Sequence, residues 1–283
     1  MDSNIPLVSI GFDGYDLEPA LHGLARTDSR NIILCCIDGF TKHVIPEEID
    51  MAAWEETRAL VRKCGLTFYG LFGHCNLSDV DDLPKLKKRM EYTRFMGGGY
   101  IDTNAGAKRT EEQFFKNLPQ VEELAEKLDL TVCLETHGDM LQTGKDCAAL
   151  FKRIRTGRIR VSYDPANVYF YNRGTVNVAE DLKVALPFVG MVHFKGVNHS
   201  SDRKAWSFPL VKDSACNPVF DYDRIFRVLD DGKYNGMVAV ELEERFRHEE
   251  GKGFIIDPVW PEDKVVKKYN EEIAYLRSQI TWL

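Results

Sequence analysis

Thr131-Val-Cys-Leu-Glu135-Thr-His137-Gly-Asp139 is the stretch from which the chain is read. Thr131 to Leu134 is apolar and β-branched enough to predict a buried strand, and it ends abruptly in a carboxylate, a histidine and a Gly-Asp turn. Side chains of a strand alternate between faces, so Glu135 and His137 are expected to point the same way. The design recurs in Ile159-Arg-Val-Ser-Tyr-Asp164, Gly190-Met-Val-His193-Phe-Lys195 and Met237-Val-Ala-Val-Glu241-Leu-Glu243. Each joins an apolar run to charged or metal-binding residues at its C-terminal end. Parallel strands delivering Glu, Asp, His and Glu to one end would make a metal-centred site.

Outward from that stretch the chain keeps one rhythm. Upstream, strands are expected at Pro6 to Ile10, Asn31 to Ile37, Leu66 to Phe72 and Tyr100 to Thr103. Helices alternate with them at Leu17 to Leu24, Met51 to Lys63, Leu83 to Phe95 and Glu111 to Leu128. The last of these carries Phe114, Leu118, Val121 and Leu124 at helical spacing toward the core. Downstream, strands are expected at Arg158 to Asp164, Gly190 to Phe194 and Gly236 to Leu242. The helices there are Lys145 to Thr156, Asn177 to Leu186, Phe220 to Leu229 and Asp263 to Ile280. The connection from Val197 to Cys216, with Trp206, Phe208 and Pro209, is long enough to read as a functional lid. Near-continuous apolar strands are those of a parallel sheet buried on both faces. Eight strand-helix units without a linker predict an α/β fold, a single (β/α)8 TIM barrel spanning residues 1–283. Such barrels hold the active site at the C-terminal strand ends, where every singled-out residue falls.

Composition narrows the classes. An apolar content of 44% suffices for a sizeable core, and a net charge of -7 argues against a nucleic-acid partner. The seven cysteines are odd in number and lack CxxC spacing, which reads as buried thiols in a reducing compartment. No basic-then-apolar leader and no run of ~18 apolar residues is present, so no membrane association and a cytoplasmic location are expected. Gly97-Gly98-Gly99 precedes a strand, whereas a dinucleotide fingerprint follows one, and it is rejected as a phosphate loop. His22, His43, His199 and His248 are read as surface residues, and Tyr169-Phe170-Tyr171 as packing beneath the sixth strand, with pocket lining as the second reading.

Leu-Glu135-Thr-His137-Gly, Tyr-Asp164-Pro-Ala-Asn167-Val, Val-His193-Phe-Lys195-Gly and Ala-Val-Glu241-Leu-Glu resemble the sugar phosphate isomerase/epimerase family of xylose isomerase-like TIM barrels. The resemblance implies that Glu135, Asp164, His193 and Glu241 bind one divalent metal ion, commonly Mn²⁺. Three carboxylates and an imidazole also suit Mg²⁺ or Co²⁺, and suit a thiolate-type structural zinc poorly. Such an ion chelates the oxygens of a hydroxy-ketone and stabilises the charge left when the adjacent proton departs. The resemblance supports Glu135 and Glu241 as acid/base groups on the two faces of an enediolate. His137, on Glu135's face, is a competing base. Lys195, His74, Asn167, Arg203 and Trp206 are candidate substrate contacts, and Glu243 is read as an acid supporting the ligands.

The expected activity is isomerisation or epimerisation of a ketose or keto-sugar, with a small-molecule carbohydrate as partner. A homo-oligomer is expected, and a heteromeric second chain stays open. Departures from the family pattern at Gly196, at Asp213-Ser-Ala-Cys216-Asn-Pro and at Asn167 point to an unusual substrate, and Glu135-Thr-His137 keeps a lyase reading alive. That reading covers dehydration of a keto-cyclitol or dehydroshikimate and cleavage of a C-glycoside, since all share enolate chemistry. A multi-zinc endonuclease lacks its extra ligands and its basic groove here. A non-catalytic subunit would not keep the full ligand set.

Overall fold

Near-continuous apolar runs become the inner wall of a closed parallel barrel. Its strands are β1 (Leu7–Val8), β2 (Asn31–Cys35), β3 (Thr67–Asn76), β4 (Tyr100–Asn104), β5 (Thr131–Glu135), β6 (Ile159–Tyr163), β7 (Val189–Phe194) and β10 (Met237–Glu241). They close in the order β1-β10-β7-β6-β5-β4-β3-β2. The computed structural model describes residues 5–214 and 219–280. Every residue of β10, and all but the first of β2 and β5, is buried, as a sheet covered on both faces requires. Around it lie α1 (Leu17–Ala25), α2 (Met51–Lys63), α3 (Asp82–Met96), α4 (Glu111–Leu128), α5 (Gly144–Phe151), α6 (Pro165–Tyr171), α7 (Val178–Ala185), α8 (Tyr222–Asp231) and α9 (Glu262–Gln279). None of the described helices is long and apolar enough to cross a membrane.

The ends of the chain seal the barrel. The first strand is shorter than the sequence suggests, because Ser9–Phe12 turns into a 3-10 helix. Tyr269 of α9 reaches that turn, its hydroxyl donating to Val8 O at 2.5 Å and accepting from Gly11 N at 3.0 Å. A Cβ on Gly11 would stand 2.5 Å from that hydroxyl, so only glycine lets the tyrosine approach. His43, expected at the surface, is buried. Its Nδ1 lies 2.7 Å from Ser9 Oγ and its Nε2 3.2 Å from Phe12 O. The described cysteines are all free, and burial pushes a thiol such as Cys75 up to about 12, so they pack as small apolar groups.

Helix α9 also carries a buried acid. Glu272 is 1% exposed, and both its carboxylate oxygens accept from Val211 N at 3.1 Å. Burial raises its pKa from 4.5 to about 8. Between those values the folded protein keeps a proton that the unfolded chain releases, so this contribution to stability is lost as pH rises toward 8. Stability is expected to fall by up to about 1.4 kcal/mol per pH unit across that window. Glu272→Gln should flatten the slope and stabilise the protein above pH ~8. Urea titrations at several pH values check it, and an unchanged slope would refute it.

The stretch after β7 departs most from expectation. It is not a loose lid, because β8 (Asn198–His199) and β9 (Ala205–Ser207) join the hairpin of β11 (Phe246–Glu249) and β12 (Gly253–Ile256). The four form an antiparallel sheet in the order β12-β11-β9-β8. Trp206 is buried there, its indole nitrogen donating to Arg203 O at 2.9 Å and its ring meeting Tyr169, Phe170 and His199. Arg203 is exposed in the connecting turn at φ 58°, with Nη1 donating to Arg173 O. The end of the expected loop at Cys216 lies outside the described residues. Tyr169-Phe170-Tyr171 belongs to α6, a helix the sequence reading passed over. Pro165 at its first position and Asp164 as its cap are its only sequence marks.

Candidate metal centre and substrate cavity

Barrel closure brings the four strand ends together. One ligand-type atom each from Glu135, Asp164, His193 and Glu241 lies within 4.8 Å of all the others, and all four residues are buried. Local bonds aim each side chain. Asp164 divides its carboxylate: Oδ1 accepts from Ala166 N at 2.7 Å and Asn167 N at 3.0 Å, capping α6. Its backbone N–H donates to Thr136 Oγ1 at 2.9 Å. With one oxygen spent on the cap, Oδ2 is left facing the centre, so capping and ligand roles coexist. Glu135 accepts from Asn167 Nδ2 at 3.2 Å through Oε1, so Asn167 braces this carboxylate. His193 places Nε2 2.8 Å from Met191 Sδ, two residues down the same strand face, which leaves Nδ1 toward the carboxylates.

The charges are crowded. Lys195 Nζ stands 3.1 Å from Asp164 Oδ2, 3.0 Å from Glu241 Oε2 and 2.8 Å from Glu243 Oε2, so its ammonium is saturated by carboxylates. Burial opposes that charge, but Asp164, Glu241 and Glu243 hold the lysine well above its usual range. Burial drives Glu241 well above the carboxylate range; Lys195 pulls it down while Glu243 and Glu135 push it further up. Asp102 and Glu243 are likewise raised, first by burial. Glu135 goes the other way, since His193, His74 and His137 outweigh its burial. His193 loses by burial but gains more from Glu135, Asp102 and Glu241, which push it up to about 9. Carboxylates sharing one site cannot all ionise without further positive charge.

The residues fit a divalent cation. Glu135 Oε2, Asp164 Oδ2 and His193 Nδ1 are buried without a hydrogen-bond partner. For Asp164 Oδ2 the Lys195 ammonium is close enough to pair charges, though not in hydrogen-bond geometry. His193 Nδ1 is 3.5 Å from Glu135 Oε1, which is also a charge contact and not a formed bond. Orphaned buried groups of this kind cost ~1–3 kcal/mol each, more if charged. A shared cation is the natural compensation, and an oxygen-rich set with one imidazole suits Mn²⁺, Mg²⁺ or Co²⁺.

Above the centre opens a cavity of about 440 Å³. Glu135, Glu241, His137, His74, Asn167 and Lys195 line its inner end. Trp206 and Arg203, expected as substrate contacts, do not line it. They serve the antiparallel sheet instead, and Phe208 from the same connection faces the cavity. His137 Nε2 lies 2.6 Å from the Tyr171 hydroxyl. Burial lowers His137 to about 4, so the ring is neutral at pH 7 and hydrogen-bonds the phenol through Nε2. His74 Nε2 is 3.2 Å from Asp102 Oδ1 and 3.4 Å from Glu135 Oε2. The sequence reading missed Asp102 and Asn104, while Phe170 and Tyr171 line the cavity, the second of the two roles the sequence offered for them. Asp102 lies inside a strand that runs on past it, so the abrupt end that marks the other acids is missing there.

A family model described as xylose isomerase-like TIM barrel matches residues 8–279, and the chain belongs to that family. No curated protein matches it in sequence. Among solved structures it is similar to a D-allulose 3-epimerase from Methylomonas sp. in complex with D-allulose. That pair is 15% identical, with 97% of this chain and 96% of the other covered and a TM-score of 0.69. It is similar to a probable 3-DHS dehydratase from Bacillus anthracis, 13% identical over 98% of each chain, with a TM-score of 0.68. A xylose isomerase-like TIM barrel protein from Mycobacterium smegmatis in complex with magnesium is 13% identical. There the coverage is 99% of this chain and 100% of the other, with a TM-score of 0.72. At such identities the likeness shows the fold.

Proposed function

We propose that this protein is a divalent-metal-dependent isomerase or epimerase acting on a ketose or keto-sugar through an enediolate. The observation that carries the reading is the convergence of Glu135, Asp164, His193 and Glu241 within 4.8 Å at the floor of a cavity. A cation held by these four supplies Lewis-acid polarisation of the substrate's carbonyl and hydroxyl oxygens. Glu135 and Glu241 reach the centre from strands that are not neighbours in the barrel. They would remove a proton beside the carbonyl and return one to the opposite face. Lys195 balances their charge and, released by substrate, holds its oxyanion. His74 and Asn167 fix the orientation of Glu135.

A lyase reading has one specific observation in its favour. The Tyr171 hydroxyl, bonded to His137, stands at the cavity wall and retains its proton because burial pushes its pKa up. A phenol so placed is suited to protonate a leaving group departing from the same enediolate. The epimerases and the dehydratase among the similar folds fit either outcome. Ketoses, keto-cyclitols and 3-keto-glycosides incubated with the Mn²⁺-loaded protein in deuterated water test both. An exchanged product isobaric with its substrate, apart from deuterium, is the expected result. Loss of water or of an aglycone from the best substrate would make the protein a lyase, and no exchange in any ketone would discard both readings.

A further inference from the structure

The cavity above the charged floor has polar and aromatic lining. On the side of β2, β3 and β4 it presents Asp38, Asn76, Asp82 and Asn104 beside Ile37, Phe40 and Phe72. Asn104 Oδ1 has no hydrogen-bond partner, so this wall has acceptor capacity to offer hydroxyls. A second group of lining residues is wholly aromatic. Phe170 of α6, Phe208 after β9 and Phe254 of β12 come from different elements and touch one another. Their ring centroids are 5.5 Å apart for Phe170 and Phe208, 5.9 Å for Phe170 and Phe254, and 6.3 Å for Phe208 and Phe254. Phe208 is 2% exposed and Phe170 9%, whereas Phe254 at the rim is 49% exposed.

We infer that this aromatic wall binds an aromatic or extended apolar substituent, so that the substrate is a substituted keto-sugar and not a free sugar. A free sugar carries hydroxyls around its ring, and those turned toward three phenyl groups lose water without gaining partners. An apolar substituent loses nothing there and covers the exposed face of Phe254, which the described chain leaves open. The hairpin that carries Phe254 is pinned by pairing with β9, so the wall is built before substrate arrives. Aromatic groups meeting such rings gain edge or offset contacts beyond plain burial. The inference rests on the proposed chemistry for which group is the sugar. The wall itself is tested without that chemistry.

Phenyl β-D-glucopyranoside and methyl β-D-glucopyranoside are a matched pair that share the sugar and differ in the substituent. Calorimetric titration into the full Mn²⁺-loaded chain should give a phenyl-to-methyl affinity ratio of about tenfold. Phe254→Ser should cut that ratio to below about threefold, and because the ratio is taken within one variant, a general loss of folded protein does not move it. Equal affinities, a ratio that survives Phe254→Ser, or failure of the phenyl glycoside to bind would each overturn the inference. Equal affinities together with a dimer in solution would assign Phe254 to a subunit interface. The two readings fail separately. A ratio near one with intact exchange of ketones in deuterated water sinks only this inference. A tenfold ratio without exchange upholds the wall and sinks the enediolate chemistry.

Discussion

Chelator-stripped protein reloaded with Mn²⁺ is expected to retain about one equivalent, and the double substitution Glu135→Ala with His193→Ala to retain none. Those two residues are half of the converging set, and the remainder is compromised in their absence. Asp164 has given one oxygen to the α6 cap, and Glu241 shares its charge with Lys195. Turnover should fall with the metal, since Lewis-acid stabilisation is worth several kcal/mol, about 10³- to 10⁵-fold. The fold should not fall with it. In the metal-free state Glu135 drives Glu241 and Asp102 up while His193 pulls both down, so losing the two together removes opposing effects. Elemental analysis and thermal unfolding of the stripped proteins separate the two effects. Unchanged metal content in the double variant would mean that the ion, if bound, sits elsewhere.

What the sequence displays is what the chain does locally. The strand-end acids were legible because each apolar run stops abruptly at a group that cannot be buried alone. Asp164 also caps α6, and the two uses take different oxygens. Asp102 escaped because its strand runs on through Thr103 and Asn104, so no break drew attention to it. Helix α6 is seven residues long, too short for a 3.6-residue period to show. Strands β8 and β9, of two and three residues, pair with each other, and β9 also pairs with a hairpin about forty residues downstream. Tyr171 meets His137 across 34 positions, and His43 meets Ser9 across 34 as well. Such contacts follow from how barrel units stack, and nothing near either residue announces them. Arg203 and Trp206 were placed at the substrate because their connection looked like a lid. As part of a sheet, it turns them away.

The Tyr171–His137 pair makes the second large prediction. His137→Ala should keep about one equivalent of metal, since all four converging ligands remain, while turnover drops ~10²- to 10⁴-fold, the usual loss of a general acid/base. Tyr171→Phe keeps the ring and removes only the hydroxyl. The His137 imidazole then loses one net hydrogen bond, ~0.5–1.5 kcal/mol, or about 2- to 12-fold in turnover where that orientation matters in the transition state. The double variant distinguishes a working pair from two independent contacts. If the hydroxyl acts only through the imidazole, removing both should cost no more than His137→Ala alone. If the phenol itself delivers a proton, the losses should multiply, and product analysis of Tyr171→Phe should show elimination falling more steeply than exchange of the acidic C–H. A His137→Ala protein with near-normal turnover would reduce the pair to packing between α6 and the turn after β5. Exchange at Glu135 and Glu241 would then proceed without it.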